Sequence, residues 1–556
     1  MGKVLEEKLA VIRRASEERE AERRAEKFGL PYLDLAKSLV EIAALKHVAE
    51  ADAKNAHAAP VRLDGNNLIL AVFDPTLPAT DALIKKLQSS HDVKLEIVVS
   101  SMTGLRYAWG FYAQVPHEAG AITGMLTISP SLYGLLESKA AHFSDAQKFL
   151  TELRAADMKT EEVIETVFGL AMLHRASDIH FEPGEYSIRI RYRIDGSLHD
   201  VSASFPKEAY HLLLSRIKLL GKLKLNITAE PQNGRITVVL PNKKEIEMRV
   251  SIVPSEFGET AVLRILYAEA LNMSLADLGF RPDDLAIIEK ELKEPNGMIL
   301  NTGPTGAGKT TTLYVFLKAK KKPEIKIITI EDPIEYHLEG IEQTQVEAAA
   351  GYNFAAALKS ILRQDPDVIL VGEINDGETS EVAVQAALTG HLVFATVHAN
   401  NAPAAIPRLI DLGVSPQSVG PALNLIIAQR LARRLCGACR VSVQITDDRK
   451  AKIKKFLNKL PERVKRPAMA EIKIYEAKGC AKCGGFGYKG RVGLFELFIV
   501  NDAIDRILRI DPSESNLADA AKRQGMTTVQ QDGILKALAG TTTLQEVESV
   551  TGPLDF

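Results

Sequence analysis

The residues best suited to chemistry lie in GPTGAGKTTT, positions 303–312. There Gly303, Pro304, Thr305, Gly306, Ala307 and Gly308 lead into Lys309, Thr310 and Thr311. The spacing is G-x-x-x-x-G-K-[ST], set between an apolar strand candidate (Met298 to Leu300) and a helix candidate (Thr311 to Ala319), the context such a loop requires. Glycine backbones let successive N–H groups wrap a phosphate, and the following helix adds positive partial charge at its amino end. Lys309 then reaches the β- and γ-phosphates, and the Thr310 hydroxyl ligates magnesium. A nucleoside triphosphate with Mg2+ is the expected ligand.

Two acidic positions belong with this loop. Glu331 and Asp332 end the apolar run in IITIEDPIEY, and Glu373 ends the one in DPDVILVGEIND. Ligands of open α/β sheets gather at the carboxyl ends of the strands, so both acids are expected beside Lys309 and Thr310. One carboxylate can orient or deprotonate the attacking water while the other holds magnesium. Residue type does not separate the roles; Glu331 is assigned to the water and Glu373 to the metal. His391 and His398 bracket LVFATV, and each is a candidate for reporting the γ-phosphate to a moving loop.

All four cysteines fall in two C-x-x-C pairs, Cys436/Cys439 and Cys480/Cys483. Each pair forms a knuckle presenting two sulfurs, and two knuckles complete a tetrahedral zinc site with no open position, hence structural. The insert between them, residues 440–479, exceeds the roughly 15–20 residues of a compact ribbon, so a helical excursion is expected there.

These residues need several domains to position them. At 556 residues the chain exceeds what one core organises. A net charge of −2, with 46% hydrophobic and 25% charged residues, is ordinary for globular protein and gives no global pull toward nucleic acid. There is no run of about 18 apolar residues, and the charged start MGKVLEEK does not resemble a signal peptide, so a cytoplasmic location without membrane insertion is expected.

The sequence predicts a mostly exposed charged helix over 1–28, solvated or docking a partner, then an α/β domain over 29–114 and a linker over 115–144. A second α/β domain is expected over 145–270, where Arg189, Arg191 and Arg193 share one strand face, more simply a solvated face than a binding surface. The nucleotide core follows over 271–435, its apolar strands 298–300, 325–330, 368–371 and 392–397 alternating with helices as in a mostly parallel sheet. The knuckle occupies 436–495 and a helical carboxy-terminal subdomain 496–556.

ASDIHFEP (176–183), RYRIDG (191–196), PQNGRI (231–236), VLRIL (262–266), GPTGAGKTTTLY, ITIEDPIEYHLEGIEQTQV, ILRQDPDVILVGEI, ALTGHLVFATVHAN, QRLARRLC and GYKGRVGLFEL follow one another in fixed order. Together they resemble the assembly ATPases of type II secretion and type IV pili (PilB/GspE-like), from about Ala171 to Val500. Residues 29–114 resemble that family's amino-terminal domain more loosely, around GLPYLDL and LAVFDP. The resemblance implies a RecA-like P-loop core preceded by a PAS-like α/β domain, and a cytoplasmic homohexamer that hydrolyses ATP. Such a ring turns an inner-membrane platform protein so that pilin-like subunits polymerise, and is tied to the membrane by a cytoplasmic or membrane receptor.

It also implies that arginines close on the γ-phosphate: Arg249 in MRVSIVP and Arg264 in VLRIL from the second domain, Arg363 in ILRQDPD from the core. The cysteine knuckle, which retraction motors of the superfamily lack, implies assembly as the direction. The chain departs from the family at Asn375 (G-E-I-N-D for G-E-I-R-D), Lys359 (for arginine) and Ala399 (for threonine), changes expected to touch turnover more than fold. Residues 1–28 lack the leucine-spaced R-L-G repeats by which some relatives bind cyclic di-GMP, so that ligand is not expected. The rival readings are a nucleotide-binding regulatory subunit with little turnover and, on fold analogy alone, a nucleic-acid translocase, against which stand the neutral charge and the lack of an aromatic-basic platform.

Overall fold

Among the described residues, short apolar runs alternating with helix-forming stretches build three sheets of different connectivity, plus a small two-stranded one. The computed structural model describes residues 2–64, 67–89, 94–114, 124–152, 159–268 and 272–556.

Gly2–Phe28 is a single helix, and its second half is docked rather than solvated. Ala21 and Ala25, one turn apart, are buried, and small side chains on one stripe let the backbone approach its neighbour closely. Glu18 accepts from the Tyr32 and Ser101 hydroxyls, both at 2.7 Å, and Arg24 lies 3.9 Å above the Phe73 ring. The domain it rests on has a three-stranded sheet: Ala58–Asp64 pairs antiparallel with Asn67–Val72, which pairs parallel with Lys94–Val99.

The second domain carries a seven-stranded sheet in the order Met125–Thr127, Gln232–Val239, Glu245–Ser255, Gly258–Leu266, Asp178–Pro183, Ile188–Ile194, Ser197–Phe205. Residues 124–144, expected as linker, belong to it. Met125–Thr127 pairs with Gln232–Val239, and Leu126, Ile128 and Leu136 enter the domain core. The scattered prolines and glycines that suggested a linker have local jobs instead: Pro130 opens the helix Pro130–Lys139, where its missing N–H is no loss. Residues 115–123 lie outside the described ones. The arginine ladder is neutralised across the sheet, Arg189 pairing with Asp200 at 2.5 Å, Arg191 with Glu182, and Arg193 with Asp178 at 3.4 Å.

The third sheet holds the phosphate loop. Its order is Glu342–Gln345, Ile327–Glu331, Val368–Val371, Leu392–Val397, Gly297–Thr302, Leu423–Leu435, Tyr488–Ile499. The first six strands run parallel and the last antiparallel, so six carboxyl ends share one edge. The central strands are buried at every position and mostly apolar, with polar residues such as Asn301, Thr302 and Glu331 at their carboxyl ends near the site. Tyr488–Ile499 returns to this sheet, so residues 488–495, grouped from sequence with the knuckle, are part of the core.

The insert between the cysteine pairs folds as the strand pair Arg440–Val443 and Ile474–Ala477 around the helix Asp447–Lys459. An ion cluster ties these parts together. Asp284 and Asp532, both fully buried, are met by Arg281 (2.7 Å to each), by Arg463 from the insert (2.8 Å to Asp284) and by Lys536 from the carboxy-terminal helices (2.6 Å to Asp532). Each buried aspartate is met by two cations drawn from different segments, so the segment entering the core, the cysteine insert and the carboxy-terminal helices are cross-linked through this cluster.

Candidate active site

Residues 303–308 leave the strand Gly297–Thr302 and enter the helix Lys309–Lys320. Gly303, Gly306 and Gly308 have φ of +151°, +79° and +89°. At Gly303 a Cβ would also lie 2.5 Å from the Gln429 carbonyl oxygen, and at Gly308 3.0 Å from Gln429 Nε2. The neighbouring strand thus presses on the loop from behind. The buried Gln429 side chain explains the closeness: its Oε1 accepts from Asn301 Nδ2 at 3.1 Å and from Thr312 Oγ1 at 2.9 Å, joining the strand before the loop to the helix after it.

Lys309 Nζ donates to the Gly303 carbonyl at 2.7 Å, folding its cation over the loop. Burial lowers its pKa, opposed by the charge of Glu373 and reinforced by that of Arg430. Thr310 is exposed at the first turn, and Thr311 is half-buried behind it.

The two acids stand on neighbouring strand ends. Glu331 is 3% exposed, and its carboxylate is held by three donors: Thr329 Oγ1 at 2.6 Å, Gln343 Nε2 at 3.0 Å and the Tyr314 hydroxyl. Burial and the Glu331 charge push the Tyr314 phenol upward, so it stays protonated and donates. Glu373 follows Gly372, whose N–H donates to Ile330 at 2.8 Å, while Ile374 N–H donates to Thr396 at 2.8 Å. Its backbone is therefore pinned between the strand end of Glu331 and that of His398. The residues fit the magnesium expectation in type, a threonine hydroxyl and a carboxylate being the hard oxygen donors that ion prefers.

His398 is exposed at the carboxyl end of Leu392–Val397 and lines a cleft of about 400 Å³ with Gly303, Pro304, Asn400, Arg408 and Arg430. The segment after it is wired to the loop strand, since Thr302 Oγ1 both donates to Ala399 O (2.9 Å) and accepts from Ala399 N–H (2.8 Å). Arg430 Nη2 donates to Asn400 O at 3.0 Å. Backbone groups make the Ala399 link, so alanine in place of threonine leaves it intact.

His391 and Arg363 are not brought to this edge. A strand of six residues spans about 20 Å, so two histidines bracketing it cannot meet one phosphate. His391 sits at the amino end with Nδ1 3.0 Å from Ala386 O, and Arg363, exposed on the turn before Val368–Val371, donates to Lys359 O at 2.9 Å.

The second-domain arginines do face the core. Arg249 lies 3.0 Å from Glu335 and donates to Ile334 O, within four residues of Glu331. Arg264 is held by Asp178 at 3.1 Å and raises positive potential at Tyr336 together with Arg249. Arg235, Arg249 and Arg264 stand directly opposite one another on three adjacent strands. Like charges in register oppose sheet pairing, and each is offset by a carboxylate: Glu247 lies 3.2 Å from Arg235, Glu335 3.0 Å from Arg249 and Asp178 3.1 Å from Arg264. Arg235 is not legible as a site residue from sequence because PQNGRI shows only one arginine; the row exists in register alone.

The four cysteine sulfurs lie within 4.8 Å of one another, with Cys436–Cys480, Cys439–Cys483 and Cys480–Cys483 at 3.9, 3.8 and 3.8 Å. Tetrahedral Zn–S bonds of about 2.3 Å place sulfurs ~3.8 Å apart, so the set fits zinc. Burial raises the Cys483 thiol, but the amides of Cys480 and Gly487, donating at 3.2 and 3.1 Å, outweigh it and bring the group down to about 7.

Residues 154–549 match the family described as Type II/IV secretion system protein, and residues 28–115 match the MshEN domain. The chain is 36% identical over 534 residues to the type IV pilus assembly ATPase PilB of Myxococcus xanthus, covering 96% of this chain and 91% of that protein. It is 41% identical over 389 residues to the type II secretion system protein E of Pseudomonas aeruginosa, covering 70% and 75%. The ATPase DotB of Yersinia pseudotuberculosis shares the fold at 21% identity with a TM-score of 0.52, covering 71% of this chain and 94% of that one. A phosphate loop backed by paired strand-end acids and faced by an arginine row, within these matches, makes the chain an ATP hydrolase that belongs to the Type II/IV secretion system protein family.

Proposed function

We propose that this chain is the motor subunit of a six-membered ring that hydrolyses ATP to drive assembly of type IV pili or type II secretion pseudopili through an inner-membrane platform protein. The observation that carries the reading is the Arg249 contact with Glu335 and Ile334, four residues from Glu331. A nucleotide site shared by two domains turns loss of the γ-phosphate into a change in how the domains sit, which is how hydrolysis does mechanical work.

In this reading Glu331 orients the attacking water, and Lys309 binds the β- and γ-phosphates. Thr310 and Glu373 hold Mg2+, which supplies charge neutralisation between the phosphates when bound. Arg249 and Arg264 stabilise the equatorial oxygens as charge spreads over them, and His398 reports the γ-phosphate to the segment Ala399–Asn400. Arg363 and His391, on the opposite sheet edge, can reach a phosphate only in a neighbouring copy.

The relatives named for pilus assembly and for secretion support the direction, as does the tetracysteine set. Among the described residues no helix is long and apolar enough to cross a membrane. In this reading the ring is cytoplasmic and bound peripherally through partners, residues 1–114 meeting a receptor. The test is light scattering of the purified chain with and without ATP and Mg2+, paired with phosphate release. A hexameric mass with turnover supports the ring motor, and a monomer that turns over at any concentration overturns it.

A further inference from the structure

The loop that leaves Cys483 does not stay with its own knuckle. Gly484 O accepts the N–H of Phe143 from the second domain at 3.0 Å. Phe486 carries its ring to 5.1 Å from Phe143 and 4.7 Å from His199, and packs against the second-domain core. Phe143 in turn contacts His174 at 5.5 Å and His199 at 5.7 Å, so the ring completes an aromatic cluster whose other members all come from the second domain. Gly484, Gly485 and Gly487, at φ of +61°, +92° and +77°, give this loop the shape that delivers the ring.

A second tie lies farther along. Gly490 N–H donates to Asp195 Oδ2 at 2.9 Å. Asp195, with Gly196 and Ser197, forms the hairpin turn between Ile188–Ile194 and Ser197–Phe205. That turn is one wall of a cleft of about 550 Å³, whose other walls include Thr305, Gly306 and Ala307 of the phosphate loop. The loop that leaves a cysteine ligand therefore inserts an aromatic ring into the second domain, and the strand it runs into, Tyr488–Ile499, holds the turn of that domain that faces the phosphate loop.

We propose that Phe486 and the Gly490–Asp195 bond make the second cysteine pair a staple that positions the Asp195–Gly196–Ser197 turn over the phosphate loop. The tetracysteine site then has a task in nucleotide binding although none of its sulfurs lies in the cleft. Metal bound by Cys436, Cys439, Cys480 and Cys483 fixes the root of the staple, and Phe486 is its anchoring point. Phe486 is a positioning residue, acting through Asp195 and its neighbours.

The test uses the full chain without nucleotide and then with ATP. Hydrogen exchange in wild type, Phe486→Ala and Phe486→Leu is followed in segments covering 142–145 and 195–199, with strands 297–302 and 392–397 as the folding control. The staple predicts that Phe486→Ala accelerates exchange in both segments and leaves the control strands protected, that Phe486→Leu falls between, and that chelating the metal from wild type reproduces the Ala pattern. It further predicts that the KM for ATP rises about tenfold in Phe486→Ala while kcat changes less than twofold.

Unchanged exchange at 195–199 in Phe486→Ala overturns the staple, as does faster exchange with an unaltered KM. Protection that survives chelation overturns the metal's part in it. If Phe486→Ala also loses the control strands, Phe486→Leu becomes the deciding variant, and it must show the same split between segments and control for the proposal to stand.

Discussion

The Tyr314 hydroxyl, on the helix that follows the phosphate loop, donates to the buried carboxylate of Glu331. One side chain thus links the element that binds the phosphates to the acid assigned to the water. Thr329 and Gln343 hold the other carboxylate oxygen, so Tyr314 alone constrains the oxygen left with a free lone pair. Tyr314→Phe is expected to lower kcat about tenfold, corresponding to about 1.4 kcal/mol of transition-state positioning, with KM for ATP little changed. Steady-state phosphate release checks this, and a rise in KM with unchanged kcat would show that Tyr314 serves binding instead.

Arg249 reaches from one domain to the other, and its value should lie in the transition state. Arginines that close on a γ-phosphate contribute about 10³–10⁵ in turnover in related chemistry. Arg249→Ala should therefore lower kcat at least a hundredfold while nucleotide still binds in a fluorescence titration. Arg249→Lys should recover little, because an ammonium lacks the planar fork.

The strands around this site were legible because parallel strands buried on both faces are continuous apolar runs, and the acids were legible because they end such runs. The strand Glu342–Gln345 was missed: EQTQ has no apolar pattern, and only edge pairing with Ile327–Glu331 makes it a strand. Gln343 on it proved to be a ligand of Glu331. Gln429 and Arg430 were visible in QRLARRLC, yet nothing in that run says that it lies behind the loop; sheet order does. His391 lies at the amino end of its strand, away from the loop of its own chain, because proximity to an apolar strand does not tell which of its ends faces the phosphate; Arg363, carried by motif, likewise lies on the turn before its strand. The linker expected over 115–144 failed in its described part because three apolar residues, Leu126, Ile128 and Leu136, were outweighed by turn-forming neighbours.

Gln429 should matter to stability more than its distance from the reacting atoms suggests. Gln429→Leu leaves Asn301 and Thr312 without their shared acceptor inside the core, and an unsatisfied buried donor costs about 1–3 kcal/mol. A lowered thermal midpoint together with weaker ATP binding is expected, and calorimetry with a nucleotide titration measures both. Unchanged values would mean that the loop holds its shape without support from the neighbouring strand.

The tetracysteine set should bind one zinc per chain. Cys480→Ser removes one of four soft ligands, and the metal content measured by elemental analysis is expected to fall well below one. Proteolysis should then cut the insert 440–479 first, because that segment depends on the knuckles at both its ends. Full zinc content in the variant would contradict four-sulfur ligation.

The role of Glu331 is tested most directly by single-turnover ATP hydrolysis by the wild type and by Glu331→Gln under conditions where both bind ATP and Mg2+. The wild type is expected to turn over, and Glu331→Gln to retain the nucleotide with cleavage slowed at least a hundredfold, about 2.7 kcal/mol. A Glu331→Gln rate equal to the wild-type rate would contradict the assignment of the water to the acid that Tyr314, Thr329 and Gln343 hold in place.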